Sequence, residues 1–312
     1  MKKVITIFTI LCLIGFSFDL PFAQTKKQQA GYKYHSEEFI FFNWNEAKPV
    51  IYIFQTTTSF DGPRIIRFYR GWYSLDGQWS MFVDERIDNK QPSDTPLEDA
   101  LKVTRQPNGH RQISFKYNQA DLELQVQDIV TDFEVETKTK VLEHTRSLHQ
   151  GVLINQGVHM GGYVIHNYRH LRNDNPIIEN TGRKYGKYDI AYLFNEAGDV
   201  MIAGYSDIFD NKNRSYFWVD EKNNQSVSTL IDWTKTVKDT TAHVVYPVGW
   251  DIEMMGRGMD AHVLNIGSFI LAGDPSVPQT PDLYGLFVVR GSLVLSDGKE
   301  ISVCGLINHI QD

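Results

Sequence analysis

The sequence predicts an all-β protein built from two consecutive antiparallel β-barrels. Three observations carry that expectation. Short apolar-aromatic runs with period-2 alternation recur along most of the chain, Asp-Gly turn signals punctuate them, and a polar stretch with Pro176, Gly182 and Gly186 separates two full complements of strands. No long segment shows the i, i+3, i+4 spacing of an amphipathic helix. Closing each sheet on itself removes the unpaired edges that an all-β chain must protect.

The hairpin at 284–311 is the clearest element. Tyr284, Leu286 and Val288 point one way, Phe287 and Val289 the other, and Ile301, Val303 and Ile307 alternate on the return beyond Asp297-Gly298. Earlier, 39–44, 50–58 and 65–73 read as strands, with Asp61-Gly62-Pro63 and Asp76-Gly77 as turns and 78–83 returning. Pro92 and Pro96 mark a loop. Strands follow at 111–117, 122–129 and 133–141, and 151–171 reads as one more, bent at Gly161-Gly162. Beyond the linker at 173–186, Tyr188, Ile190, Tyr192 and Phe194 share one strand face, and further strands follow at 215–219, 227–233, 243–246, 251–255 and 263–271.

Composition bounds the function. The chain has 312 residues, 42% hydrophobic and 22% charged, which suits a packed chain, and 12% aromatic, which suits strands and a lined cavity. A formal charge of -7, without a basic run, excludes nucleic acid or anionic lipid as a partner held by bulk electrostatics. Lys2, Lys3, the apolar run 4–18 and Ala23 read as an export signal over 1–23. The run is short for a bilayer, so we expect cleavage, no integral membrane segment in the mature chain, and a periplasmic or extracellular destination. The two barrels are then expected at 24–175 and 176–312. Cys12 lies in the signal, leaving Cys304 as a small buried side chain and the mature chain without an internal disulfide.

Glycine-rich phosphate loops, zinc cysteine pairs and a serine elbow are absent, so no cofactor is expected. His159, His166 and His170 invite a metal, but three histidines on one strand rarely converge at bonding distance, and they read as rim histidines.

Several stretches of the second half carry a resemblance. They are Tyr188-Asp189-Ile190-Ala191-Tyr192-Leu193, Ile231-Asp232-Trp233, Tyr246-Pro247-Val248-Gly249-Trp250-Asp251-Ile252, and the closing Tyr284-Gly285 with 291–305. Their order resembles the lipocalin-like double-barrel family of carotenoid 1,2-hydratase and the predicted secreted hydrolase AttH. The resemblance implies an all-β chain of two consecutive antiparallel lipocalin-like (calycin-type) barrels and a large apolar ligand. The acidic residue with Trp-Gly that hydrolase-like members often show near the junction is missing between Met160 and Gly186.

Candidate catalytic residues are Asp189, His243 and His309, because adding water to an alkene, or moving its double bond, needs a proton donor and a base. Tyr163, Tyr188, Tyr192, Tyr246, Trp250 and Tyr284 are the candidate ligand-binding residues. Alternation sets a condition: if Tyr188 and Tyr192 line the cavity, Asp189 faces away from it. The expectation is an exported protein that binds a hydrophobic lipid, polyene or terpenoid and hydrates, isomerises or hydrolyses it. The alternatives are a carbohydrate-binding or carbohydrate-active β-sandwich, with Trp72, Trp79 and Trp218 as platforms, and an envelope protein with a filled interior.

Overall fold

The structure, a computed structural model, describes residues 32–45, 48–61, 64–89, 101–107, 111–117, 120–138, 142–172, 188–195, 200–207, 212–219, 222–226, 229–239, 244–254, 256–272 and 283–311. The expected signal at 1–23, the linker at 173–186 and His243 lie outside them.

All the described regular structure is strand. The first nine strands are β1 (Tyr32–Asn45), β2 (Lys48–Asp61), β3 (Arg64–Leu75), β4 (Gln78–Asn89), β5 (Leu101–Arg105), β6 (Arg111–Tyr117), β7 (Ala120–Lys138), β8 (Leu142–Asn155) and β9 (Val158–Arg172). The second nine are β10 (Tyr188–Asn195), β11 (Val200–Asp207), β12 (Lys212–Val219), β13 (Lys222–Ser226), β14 (Thr229–Asp239), β15 (Val244–Met254), β16 (Met259–Ala272), β17 (Leu283–Val294) and β18 (Glu300–Gln311).

Each set forms its own antiparallel nine-stranded sheet, ordered β4-β3-β2-β1-β9-β8-β7-β6-β5 and β13-β12-β11-β10-β18-β17-β16-β15-β14. The two orders are the same: neighbours in sequence pair except β4 with β5 and β13 with β14, which are the edges of the two sheets, and the first strand of each set also pairs with the last. Both sheets curl into barrels. In the first, Phe54 of β2, Val83 of β4, Ile113 of β6, Leu124 of β7 and Leu153 of β8 meet in one core, and in the second β14 returns against β11 and β12.

Local chemistry explains the turns. Asp76 and Gly77 take φ of 50° and 84°, the paired positive values of a two-residue hairpin turn whose twist matches its strands. Gln156 and Gly157 do the same at φ 49° and 80°, so the expected single strand at 151–171 is a hairpin of β8 and β9. Gly161-Gly162 is no bend, since pairing runs through both without a register shift. Gly162 is required because a Cβ there would run into the carbonyl oxygen of Phe42. The strands expected at 122–129 and 133–141 are one long β7, whose register against β8 shifts between Val126 and Glu134.

The barrels pack against each other through an apolar layer. Ile40, Ile53, Trp72, Leu148 and Ile165 of the first meet Ile190, Tyr192, Phe194, Leu286 and Leu306 of the second. Phe42 and Tyr163 lie against Phe194, with ring centres at 4.7 and 5.7 Å, and Trp72 stacks on Tyr284 at 6.0 Å. The tip of the β3–β4 hairpin docks on β16, where Gly77 and Gly267 touch backbone to backbone. Beside them Trp79 donates its indole N–H to the Gly267 carbonyl at 3.3 Å, and Arg290 pairs with Asp76 at 3.1 Å.

Candidate active site

In the second barrel, register decides which side chains meet. Asp189 is the second residue of β10 and lies directly opposite His309 of β18, which lies opposite Gly285 of β17 on its other side. Odd-numbered Ala191, Leu193, Phe287, Val289 and Ile307 fill the interior, and Asp189 and His309 share their face. The pairing is tight. His309 donates its Nδ1–H to Asp189 Oδ1 at 2.7 Å, and Trp233 of β14 donates its indole N–H to the other carboxylate oxygen, also at 2.7 Å. The carboxylate is thus held by donors from two further strands.

The setting is apolar. His309 is fully buried, with the rings of Trp233 and Phe287 standing edge-on to it at 5.4 and 6.4 Å. Trp250, Ile252, Met254 and Val263 belong to the same apolar cluster as Phe287. Gly285 keeps the strand beside His309 without a side chain, since a Cβ there would meet the Phe287 ring. Gln311, the last residue of β18, places its amide oxygen 3.4 Å from His309 Nε2. A histidine oriented by a carboxylate through Nδ1 presents Nε2 as its working nitrogen, able to give or take a proton.

The structure therefore brings together two of the three candidate catalytic residues. The aromatic candidates divide between two places. Tyr246 and Trp250 belong to the barrel interior, at 5.9 and 5.3 Å from Phe287. Tyr163, Tyr192 and Tyr284 face the other barrel, so they line no common cup with Asp189. The backbone of Tyr188 pairs with Ile310. Alternation makes the division unavoidable, as neighbours along a strand face opposite sides.

Tyr192 and Tyr284 belong to a second polar group, which sequence reasoning missed. Glu38 of β1 is buried between the barrels, where one carboxylate oxygen accepts from the Tyr284 hydroxyl at 3.0 Å and the other from the Asn167 amide at 2.7 Å. Tyr192 donates to Asn167 at 3.0 Å, and Asn308 donates to the Tyr284 oxygen at 3.2 Å. Burial raises the Glu38 carboxyl above its ordinary range, opposed by the bonds from Asn167 and Tyr284 and by the charge of Arg146. One signal for this layer was present: 39–42 and 283–289 are unbroken apolar or glycine runs, which mark strands buried on both faces.

Among the described residues, no group of three or more His, Cys, Asp or Glu side chains is placed to hold a metal ion. His166 and His170 lie inside the first barrel, while His159 is exposed near the β8–β9 turn. Trp72 is fully buried between the barrels and is not available as a flat carbohydrate platform. Cys304 is buried, as expected.

No protein-family model matches the sequence, and no curated protein matches it. Solved structures do. A protein given the provisional name AttH, from Nitrosomonas europaea, superposes with a TM-score of 0.60 at 10% identity, over 95% of this chain and 97% of that one. Kievitone hydratase from Nectria haematococca gives 0.55 at 11% identity, over 90% of this chain and 89% of that one. The chain thus has the fold of these two structures, two lipocalin-like β-barrels in tandem, as the sequence resemblance led one to expect.

Proposed function

We propose that the protein binds an apolar, alkene-bearing small molecule and adds water to it by proton transfer at the Asp189–His309 pair. One observation carries this: a carboxylate–imidazole pair at 2.7 Å sits inside an apolar barrel, its carboxylate fixed from behind by Trp233. In such a setting a proton on His309 Nε2 passes to one alkene carbon while water bonds through oxygen to the other. The extra water proton returns to Nε2, so alkene and water give an alcohol and the pair is unchanged. Asp189 stabilises the imidazolium and holds the ring, and the apolar wall keeps other water away. The hydratase among the structures of the same fold supports this choice of reaction.

The reading also takes 1–23 as an export signal, 24–175 and 176–312 as the two barrel units, and the periplasm or the exterior as the working compartment. The test is direct. Purified protein is incubated with geraniol, farnesol and lycopene, and products are followed by mass spectrometry for the gain of one water. Wild type forms such a product from at least one of them and Asp189→Asn does not. Equal yields from both proteins, or no uptake of Nile red by wild type, would count against the proposal.

A further inference from the structure

We propose that the first barrel carries a second ligand site, built around Glu37 and His166, for a flat, weakly acidic hydroxyl compound of the phenol or enol class. The two barrels have one strand order, and β1 and β9 of the first stand where β10 and β18 stand in the second. Both strand pairs place a carboxylate against an imidazole. In the first barrel His166 donates its Nε2–H to Glu37 Oε1 at 2.8 Å. Phe39 lies opposite His166 in the ladder and belongs to the interior cluster, so Glu37 and His35, two and four residues earlier, face inward too.

The surroundings differ from those of Asp189. His35, Glu37, His149, His166, Tyr168 and His170 converge, and four of the six are imidazoles. Flat rings form the wall. His35 stacks on His170 at 4.4 Å, Tyr168 lies 4.1 Å from His170, and His166 stacks on Phe39 at 4.5 Å. His149 accepts from the Ser147 hydroxyl through Nε2 at 2.8 Å, because its Nδ1–H is given to the Gln127 carbonyl at 3.1 Å. His35 Nε2 is buried with no hydrogen-bond partner among the described residues. Burial lowers the pKa of His35 against the pull of Glu37, so the ring stays neutral at neutral pH.

This chemistry selects its ligand. His35 Nε2 can accept from a hydroxyl, and stacked rings take a flat π-system beside them. A permanent anion would face Glu37. His35, Glu37, His149 and Tyr168 are each only partly buried. The site lies inside the other barrel from Asp189 and stands independently of the reaction proposed there.

The probe is 4-nitrophenol, whose absorption band moves when its hydroxyl is hydrogen-bonded. Titrated into the full chain below its own pKa, it should bind saturably as the neutral phenol and shift that band. Glu37→Gln and His166→Ala should each weaken binding by about tenfold, the scale of one charge-assisted hydrogen bond, while Asp189→Asn leaves it unchanged. In the NMR spectrum of unmutated protein the imidazole signals of His35, His149 and His166 should shift with the probe, a result independent of how any variant folds. No saturable binding, loss through Asp189→Asn in place of Glu37→Gln, or shifts confined to His309 would overturn the proposal.

Discussion

The two barrels repeat one topology and fill it differently. Among the described residues, the second holds an apolar interior around a buried carboxylate–imidazole pair. The first gathers histidines, a tyrosine and a glutamate that are in part open to solvent. The lesson is that strand order sets where a first-strand and a last-strand residue meet, and the residues placed there set the chemistry. An apolar wall strengthens a proton transfer by excluding water, whereas a polar, stacked wall suits recognition.

The contrast can be broken most sharply at Asp189. Asp189→Asn keeps the shape and removes the charge that orients His309, so hydration should fall by about 100-fold or more. Glu37→Gln should leave that rate within a factor of about two, read from the same product yields. Next in size is the layer both barrels share. Trp72→Ala empties a fully buried site and should cost about 4 kcal/mol in denaturant melts. Loss confined to one barrel would show that the halves fold separately.

Backbone contact comes third. Gly162→Ala forces a methyl group toward the Phe42 carbonyl and should cost about 2 kcal/mol by thermal unfolding, where Gly157→Ala costs little beyond its turn strain. The smallest effect concerns pH. The Glu38 carboxyl is raised in the folded state, so the folded chain holds this proton more tightly than the unfolded one. Its contribution is fully present below the ordinary glutamate range and is lost as pH rises through the raised value. Glu38→Gln should flatten that part of the stability–pH curve, measured by urea melts at successive pH values.

Much of this was legible before the fold was known. The opposed faces at 284–289 emerge as two separate cores, one inside the barrel and one between the barrels. Asp189 and His309, picked for their chemistry, are partners although 120 residues apart. The tyrosines were harder, because alternation says that Tyr192 and Asp189 face opposite sides but not which side is the interior. That depends on the second barrel, which no local pattern encodes. Glu37 and Glu38 show the same limit: adjacent carboxylates end in different sites, one within a barrel and one between two. The hairpin at Gln156-Gly157 was missed because glutamine is an unusual residue at positive φ.

The most direct measurement is turnover of an isoprenoid alkene in deuterium oxide, with the product examined for deuterium on carbon. The account predicts one carbon-bound deuterium per added water for wild type and for Glu37→Gln, and no product from His309→Ala. Undiminished product from His309→Ala, carrying the same label, would contradict it.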